Sequence, residues 1–462
     1  MSQLLLTFYG DDFTGSTDAL EQLTLGGIRT ALFIDPPAPA QLKRFPSLQA
    51  IGVAGKTRAL APEAMERELK PALLALKKLG ARHIHYKICS TFDSSPSIGS
   101  IGCAMDVAAK IFPAPFIPLL VAAPALGRYT IFGQHFARYG IGSSGAIHRL
   151  DRHPSISQHP VTPMAEADLR QHLAQQTQKR IALFDILKLA LPEKNFRAAF
   201  QNLLDEKPDV VLFDALTHED LARIGGLLEA AATKQDQLFS VGSSGIEAAL
   251  ATNFSPRSHR RKAALTNKSA IGHRPSAMDL SLLTSAATKQ ILVISGSCSP
   301  VTGGQIAWAL KRGFQEVRLR LPVLAADPTG EINRVARAAN ALLHSGRSVI
   351  VHTTRRGADQ RIPAKLKGKT ARWLGMALGV VAHGALKNRL VRRVCLAGGD
   401  TSSYAARVMG IEALEMIAPL TPGAPLCRVH AAGRPADGCE VVFKGGQVGP
   451  ENYFEMVLKG KA

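Results

Sequence analysis

Leu4-Leu-Leu-Thr-Phe-Tyr-Gly-Asp-Asp-Phe-Thr-Gly-Ser-Thr-Asp-Ala-Leu-Glu-Gln-Leu23 reads as one strand-loop-helix unit. Leu4 to Tyr9 is a strand, Gly10 to Gly15 a polar glycine turn, and Ser16 or Thr17 opens a helix with apolar Ala19, Leu20 and Leu23. The pattern recurs outward along the chain. A strand at Thr30 to Ile34 follows Gly26-Gly27, then come a strand at Ala50 to Ala54, a helix from Pro62 to Leu79 and a strand at His83 to Lys87. Phe116 to Ala122, Arg180 to Asp185, Asp209 to Asp214 and Phe239 to Val241 are further strands. Such alternation is the mark of a parallel α/β sheet, in which ligands sit at the carboxyl ends of strands. Chemistry-bearing residues collect at those ends: Asp11-Asp12, Lys56-Thr57-Arg58, Lys87 through Asp93, Asp214 and Ser243-Ser244.

From Asn253 to Lys289 the composition shifts to Ser, Arg, Lys, His and Asn without apolar periodicity, which predicts a linker or surface excursion. A second α/β domain restarts with a strand at Gln290 to Ile294 and a helix from Thr302 to Arg312. Strands at Val317 to Leu321, Ser348 to His352 and Arg393 to Ala397 alternate with helices Glu331 to His344 and Lys365 to Asn388. The expectation is therefore two α/β domains with mainly parallel sheets, 1–252 and 290–462, separated by 253–289 and enclosing an interdomain active-site cleft.

Composition narrows the function. The 462 residues, 46% hydrophobic and 20% charged, describe a globular chain of two to three domains. A formal charge of +20 draws anions. Nucleic-acid binding would interleave basic residues with aromatics, whereas Arg257 to Lys262 and Arg389 to Arg393 are short and aromatic-poor, so a small anionic substrate and a nucleotide fit better. Cysteines 89, 103, 298, 395, 427 and 439 form no CxxC pair or zinc spacing, as expected of reduced thiols in cytoplasm. Neither a secretory signal nor an 18-residue apolar run is present, so no membrane partner is expected. His135, His148, His153, His159 and His172 lack metal-ligand spacing and are expected at the surface or in hydrogen bonds.

Four loops carry chemistry. Asp11 and Asp12, between a strand and a helix start, can accept hydrogen bonds from substrate hydroxyls or a proton, although Asp12 equally suits a helix cap. Ser295-Gly-Ser-Cys-Ser299, ahead of Thr302-Gly-Gly-Gln305, presents small residues and backbone N–H groups to phosphate; it is neither a Walker A loop nor GxGxxG. Gly398-Gly399-Asp400-Thr401 follows a strand and opens a helix, suiting a nucleotide phosphate and its metal, or an ordinary turn capped by Asp400. Lys444-Gly445-Gly446 closes a strand with an ammonium beside paired glycines.

In this order the loops resemble the four-carbon acid sugar kinase family over nearly the whole chain. Gly10-Asp-Asp-Phe-Thr-Gly15 is similar to the family's DDFTG signature, with Tyr9-Gly10 where alanine is more usual. Tyr86-Lys-Ile-Cys-Ser-Thr-Phe-Asp-Ser-Ser-Pro96, in its Cys-Ser-Thr-Phe-Asp form, resembles the 3-oxo-tetronate kinase branch, as do His159-Pro-Val-Thr-Pro-Met164 and Gly445-Gly446-Gln447. The resemblance implies an ATP-dependent kinase acting on a terminal hydroxyl of a 3-oxo-tetronate, D-threonate or D-erythronate, with Mg²⁺. The N-terminal domain would bind the acid through Asp11, Asp12, Lys87, Ser90, Thr91 and Asp93, with Arg58 or Arg128 facing its carboxylate. The C-terminal domain would bind ATP through Ser295, Ser297, Ser299, Gly398, Gly399, Asp400, Thr401, Lys444, Gly445 and Gly446. Asp12 or Asp400 would be the base; no residue is assigned to metal, and a homodimer is a class-level expectation. A sugar-acid sensing protein without turnover and a dinucleotide-dependent oxidoreductase are the competing readings.

Overall fold

The computed structural model describes residues 4–141, 144–159, 161–232, 236–254, 285–354 and 370–461. The apolar run near the N-terminus forms β1 (Leu6–Gly10), buried at every residue. Parallel neighbours flank it on both sides, β3 (Ala50–Ala54) and β4 (His83–Lys87), and strands covered on both faces need such unbroken apolar sequence. β2 (Thr30–Phe33), β5 (Ile117–Leu120), β9 (Ile181–Phe184), β10 (Val210–Phe213) and β11 (Leu238–Gly242) extend the parallel array.

The helix after β1, α1 (Phe13–Leu25), opens at Phe13 rather than at Ser16 or Thr17. Asp12 is its cap, with its side chain accepting the Gly15 N–H. Ser16 and Thr17 instead donate their hydroxyls backward, to the carbonyls of Asp12 and Thr14.

The C-terminal half supplies β12 (Leu292–Ser295), β13 (Gln315–Arg318), β14 (Val349–His352), β15 (Arg393–Ala397) and β18 (Glu440–Lys444), all parallel, and an antiparallel hairpin of β16 (Ala413–Thr421) and β17 (Ala424–His430). The two α/β halves share a single 15-stranded sheet, in the order β13-β14-β12-β15-β18-β17-β16-β2-β3-β1-β4-β11-β5-β10-β9. β16 makes the join, pairing antiparallel with β2 at Ala413–Phe33 and Leu414–Leu32. Of the expected linker 253–289, residues 255–284 lie outside the described residues, and helix Gly245–Phe254 runs into its start. The expected helix at Lys365 to Asn388 is described as Thr370–Lys387. A small antiparallel sheet of β6 (Arg128–Ile131), β7 (Gln134–Arg138) and β8 (Ile147–Arg149) stands apart from the main one.

Register determines where the loops emerge. Gly10 is level with Ala54 and Lys87, and Lys87 with Gly242, so the segments that follow leave one sheet edge together. In the other half Ser295 is level with Ala397, and Ala397 with Lys444.

Helix α1 is shared by both halves. The ring of its first residue, Phe13, lies 4.2 Å from that of Phe443 in β18. Burial of such a side chain contributes about 2–3 kcal/mol. One face farther on, the buried Glu21 carboxylate accepts the Gly423 N–H at 2.5 Å, in the turn between β16 and β17. Burial pushes the Glu21 carboxyl up to about 8. A carboxyl raised on folding stabilises below its unfolded value and loses that contribution as pH climbs through the folded one. Glu21→Gln, which keeps the acceptor, should therefore melt with wild type at pH 5. At pH 9 it should be more stable by on the order of 4 kcal/mol, as thermal melts at the two pH values will register.

Candidate active site

Each residue of the Asp11 to Gly15 turn has a separate physical task. The Asp11 N–H donates to Lys87 O at 2.8 Å and its carbonyl accepts the Arg58 N–H at 3.0 Å, so β4 and the short 3₁₀ turn Thr57–Ala59 both anchor its backbone. The Asp12 carboxylate takes the Gly15 N–H at 2.7 Å, the Thr14 hydroxyl at 2.6 Å and the Arg58 guanidinium at 2.8 Å. Gly15 is required by close approach, since a methyl group there would sit 2.6 Å from Asp12 Oδ1 and 3.3 Å from Lys87 Nζ.

Electrostatics separates the two adjacent carboxylates. Burial alone would raise Asp12, but Arg58, the Thr14 hydroxyl and the Gly15 N–H outweigh it and hold Asp12 below the usual carboxylate range. Asp11 is moved up, first by burial and then by the charge of Asp12. Its Oδ2 accepts a long 3.4 Å hydrogen bond from the Cys89 N–H, and its Oδ1 is buried with no partner among the described residues.

The Cys89 to Asp93 loop lies against this turn. Thr91 donates to Asp93 Oδ1 at 2.9 Å, and Ser90 O meets His135 Nε2 at 3.0 Å. His135 belongs to β7, so the small antiparallel sheet braces the loop from behind. Phe92 holds a left-handed φ of 59°, uncommon for a bulky residue. Arg128 is buried near Cys89 and Asp93, yet its Nη1 is spent on the carbonyls of Leu126, Gly127 and Arg138.

Beneath the turn, Lys87 is joined by Asp18, Glu247 and His85, which the sequence reading missed. Lys87 Nζ donates to Ile88 O at 2.9 Å and lies 3.4 Å from Asp18 of α1. Burial would lower this ammonium, but Asp18, Glu247 and Asp11 hold it above its ordinary value. Glu247, on helix Gly245–Phe254, is wholly buried and pushed by burial up to about 8, and His85 Nε2 is 3.5 Å away. The available signal was the carboxylate following Ser243-Ser244 at a strand end, where those serines had been noted.

The nucleotide-side loops also converge. Gly398 N–H donates to Lys444 O, and Gly296 N–H to Ala397 O, each at 3.0 Å. Lys444 Nζ reaches Thr302 Oγ1 at 3.0 Å and Gly445 O at 2.9 Å, and Thr302 in turn donates to Gly446 O at 2.8 Å. Burial pulls Lys444 down to about 7. Ser297 Oγ accepts the Ser299 N–H, and Thr401 Oγ1 donates to Gly398 O. The hydroxyls of Ser295, Ser299 and Ser403 are buried without partners among the described residues. The Asp400 side chain lies outside the described residues; its backbone is in the first turn of helix Gly399–Met409.

Both edges meet at Gly399. A methyl group on it would sit 2.7 Å from Arg58 Nη2, 3.3 Å from Asp12 Oδ2 and 3.6 Å from Thr14 Oγ1. The expected cleft is thus closed to contact distance where the first motif faces the third. Among the described residues no three His, Cys, Asp or Glu side chains are grouped to hold a metal ion, and no helix is long and apolar enough to cross a membrane.

The sugar-binding N-terminal domain family matches residues 6–250, and the nucleotide-binding C-terminal domain family matches residues 292–454. A 3-oxo-isoapionate kinase of Paraburkholderia graminis is 42% identical over 99% of this chain and 95% of its own. This chain belongs to the four-carbon acid sugar kinase family. A 3-oxo-tetronate kinase of Burkholderia multivorans is 30% identical over 99% of this chain and 97% of its own. A structure from Salmonella typhimurium LT2, described as a putative tRNA synthase, aligns with a TM-score of 0.74 over 98% of both chains at 23% identity, a likeness of fold. Membership makes the chain a kinase that uses ATP, and displaces the sensing and oxidoreductase alternatives.

For this kinase, Gly399→Ala should displace the end of the flexible Arg58 side chain and part it from Asp12. Turnover is expected to fall about 100-fold while the melting temperature stays within a few degrees of wild type, measured by steady-state kinetics and thermal melts.

Proposed function

We propose that this kinase transfers the γ-phosphoryl group of ATP to a terminal hydroxyl of a short 3-oxo sugar acid, with 3-oxo-isoapionate as the leading candidate. The observation that carries the reading is the contact of Asp12 and Arg58 with Gly399, where the sugar-side turn meets the nucleotide-side loop. Phosphoryl transfer asks mainly for positioning and charge neutralisation at such a junction. Identity supports the choice of acid: 42% to the 3-oxo-isoapionate kinase against 30% to the 3-oxo-tetronate kinase of B. multivorans, each over 99% of this chain. 3-Oxo-tetronates come second, and D-threonate and D-erythronate after them.

On the sugar side, Asp11, Asp12, Lys87, Ser90, Thr91 and Asp93 would line the acid. Arg58, with 17% of its side chain exposed, is the cation we assign to its carboxylate in preference to Arg128, whose Nη1 is engaged by carbonyls. On the nucleotide side, the buried hydroxyls of Ser295 and Ser299 suit phosphate oxygens, with Ser297, the Gly398 to Thr401 loop and Lys444 to Gly446 completing the cradle. Mg²⁺ would arrive on the phosphates, since that ion commonly keeps water and phosphate ligands and needs few side chains. A junction closed to this degree excludes water and so limits wasteful hydrolysis.

A coupled ADP-release assay with Mg·ATP and a panel of 3-oxo-isoapionate, 3-oxo-tetronates, D-threonate and D-erythronate tests this directly. The highest kcat/KM is expected with 3-oxo-isoapionate. A tenfold or greater preference for another panel member would replace the substrate, and ADP release that no acid stimulates would sink the sugar-acid reading.

A further inference from the structure

We propose that Asp11, rather than Asp12, takes the proton from the acceptor hydroxyl, and that Asp12 instead clamps Arg58 and the start of α1. The inference rests on the kinase reading above and assigns the base within it.

The two carboxylates differ in what their oxygens already do. Asp12 Oδ1 is taken by the Gly15 N–H, and Oδ2 by the Thr14 hydroxyl and Arg58. Protonating it would break charge-assisted hydrogen bonds, which favour the anion. Asp11 is only 3% exposed, its backbone is tethered at both N–H and carbonyl, and Oδ1 has no partner among the described residues. A buried acceptor left unsatisfied costs free energy, and a hydroxyl donating to Oδ1 satisfies it.

The charges facing Asp11 are those of Asp12, Arg58, Lys87 and Asp93, with Tyr86 and Cys89 also beside it. Beyond Lys87 lie Asp18 and Glu247. Lys87 lies 3.4 Å from Asp18 and donates to Ile88 O, and Arg58 reaches Asp12 Oδ2 at 2.8 Å, while the charges of both cations also act on Asp11. A pair of adjacent carboxylates with one held ionised and the other shifted up is the arrangement that separates electrostatic from proton-transfer roles.

The step balances. As the acceptor oxygen bonds to the γ-phosphorus, the bond from that phosphorus to the β,γ-bridging oxygen breaks and ADP departs with the electron pair. The hydroxyl proton passes to Asp11 Oδ1 and leaves to solvent after product release.

The experiment measures kcat and KM from pH 5 to 9 for wild type, Asp11→Asn and Asp12→Asn, with thermal melts of each. Wild-type kcat should fall on an acidic limb that lies above the ordinary carboxylate range. Asp11→Asn should lower kcat about 100-fold or more, with KM for the acid changed by only a few-fold and a melting temperature no lower than wild type. In the residual activity of Asp12→Asn the limb should move to lower pH, because the repelling charge is gone and Arg58 is released toward Asp11. The assignment is overturned if Asp11→Asn retains kcat within fivefold of wild type, if its loss falls in KM alone, or if Asp12→Asn leaves the limb where it was. Wild type inactive toward every acid would instead remove the kinase reading, and this inference with it.

Discussion

Asp12 accepts hydrogen bonds from a backbone N–H, a hydroxyl and a guanidinium, and the start of α1, the position of Arg58 and the seat of Gly399 follow from that. The Gly15 N–H draws the chain into α1 directly after β1. Arg58 brings the end of β3 across to the same carboxylate. With both in place, Gly399 of the other half fits against the pair with no room for a methyl group. Loss of the anion would release the helix start, the arginine and the seat of the nucleotide-side loop together.

That arrangement is expensive in solvation, and the rest of the turn reflects the cost. Burying a carboxylate is tolerable only when donors replace water. Asp12 has three; Asp11, its neighbour, has one long hydrogen bond from the Cys89 N–H and an Oδ1 with no partner among the described residues, and is shifted toward the neutral form. Lys87 stays charged because Asp18, Glu247 and Asp11 surround it, and Glu247 is itself raised by the same burial. Two adjacent residues of one chemical type thereby acquire different properties. The difference comes from which donors the fold brings to each, not from the type.

Much of the architecture is local and was legible. β3, β4 and β15 occupy the residues expected of them, because a buried parallel strand is a short apolar run bounded by turn residues. The hairpin of β16 and β17 was not foreseen. Its strands contain Pro419 and Pro425, and proline inside a run argues against a strand. The fold accommodates Pro419 where the register between β16 and β17 shifts, between Ala418 and Thr421. β6 to β8 were also missed, since none is a continuous apolar run: burial alternates along β6 and β7, and β8 is exposed to half-buried throughout.

By itself the sequence determined the α/β class, the order of the loops and the residue types in each, because a strand-loop-helix unit is decided by neighbours in the chain. It also carried the family resemblance, which the comparisons bore out. Only the tertiary structure decided that both halves share one sheet, that α1 packs on both, and that Arg58, Asp12 and Gly399 meet. The charge state of each buried group belongs to that second class as well. It depends on desolvation and on partners far away in sequence, such as Glu247 beside Lys87, and no local pattern encodes either.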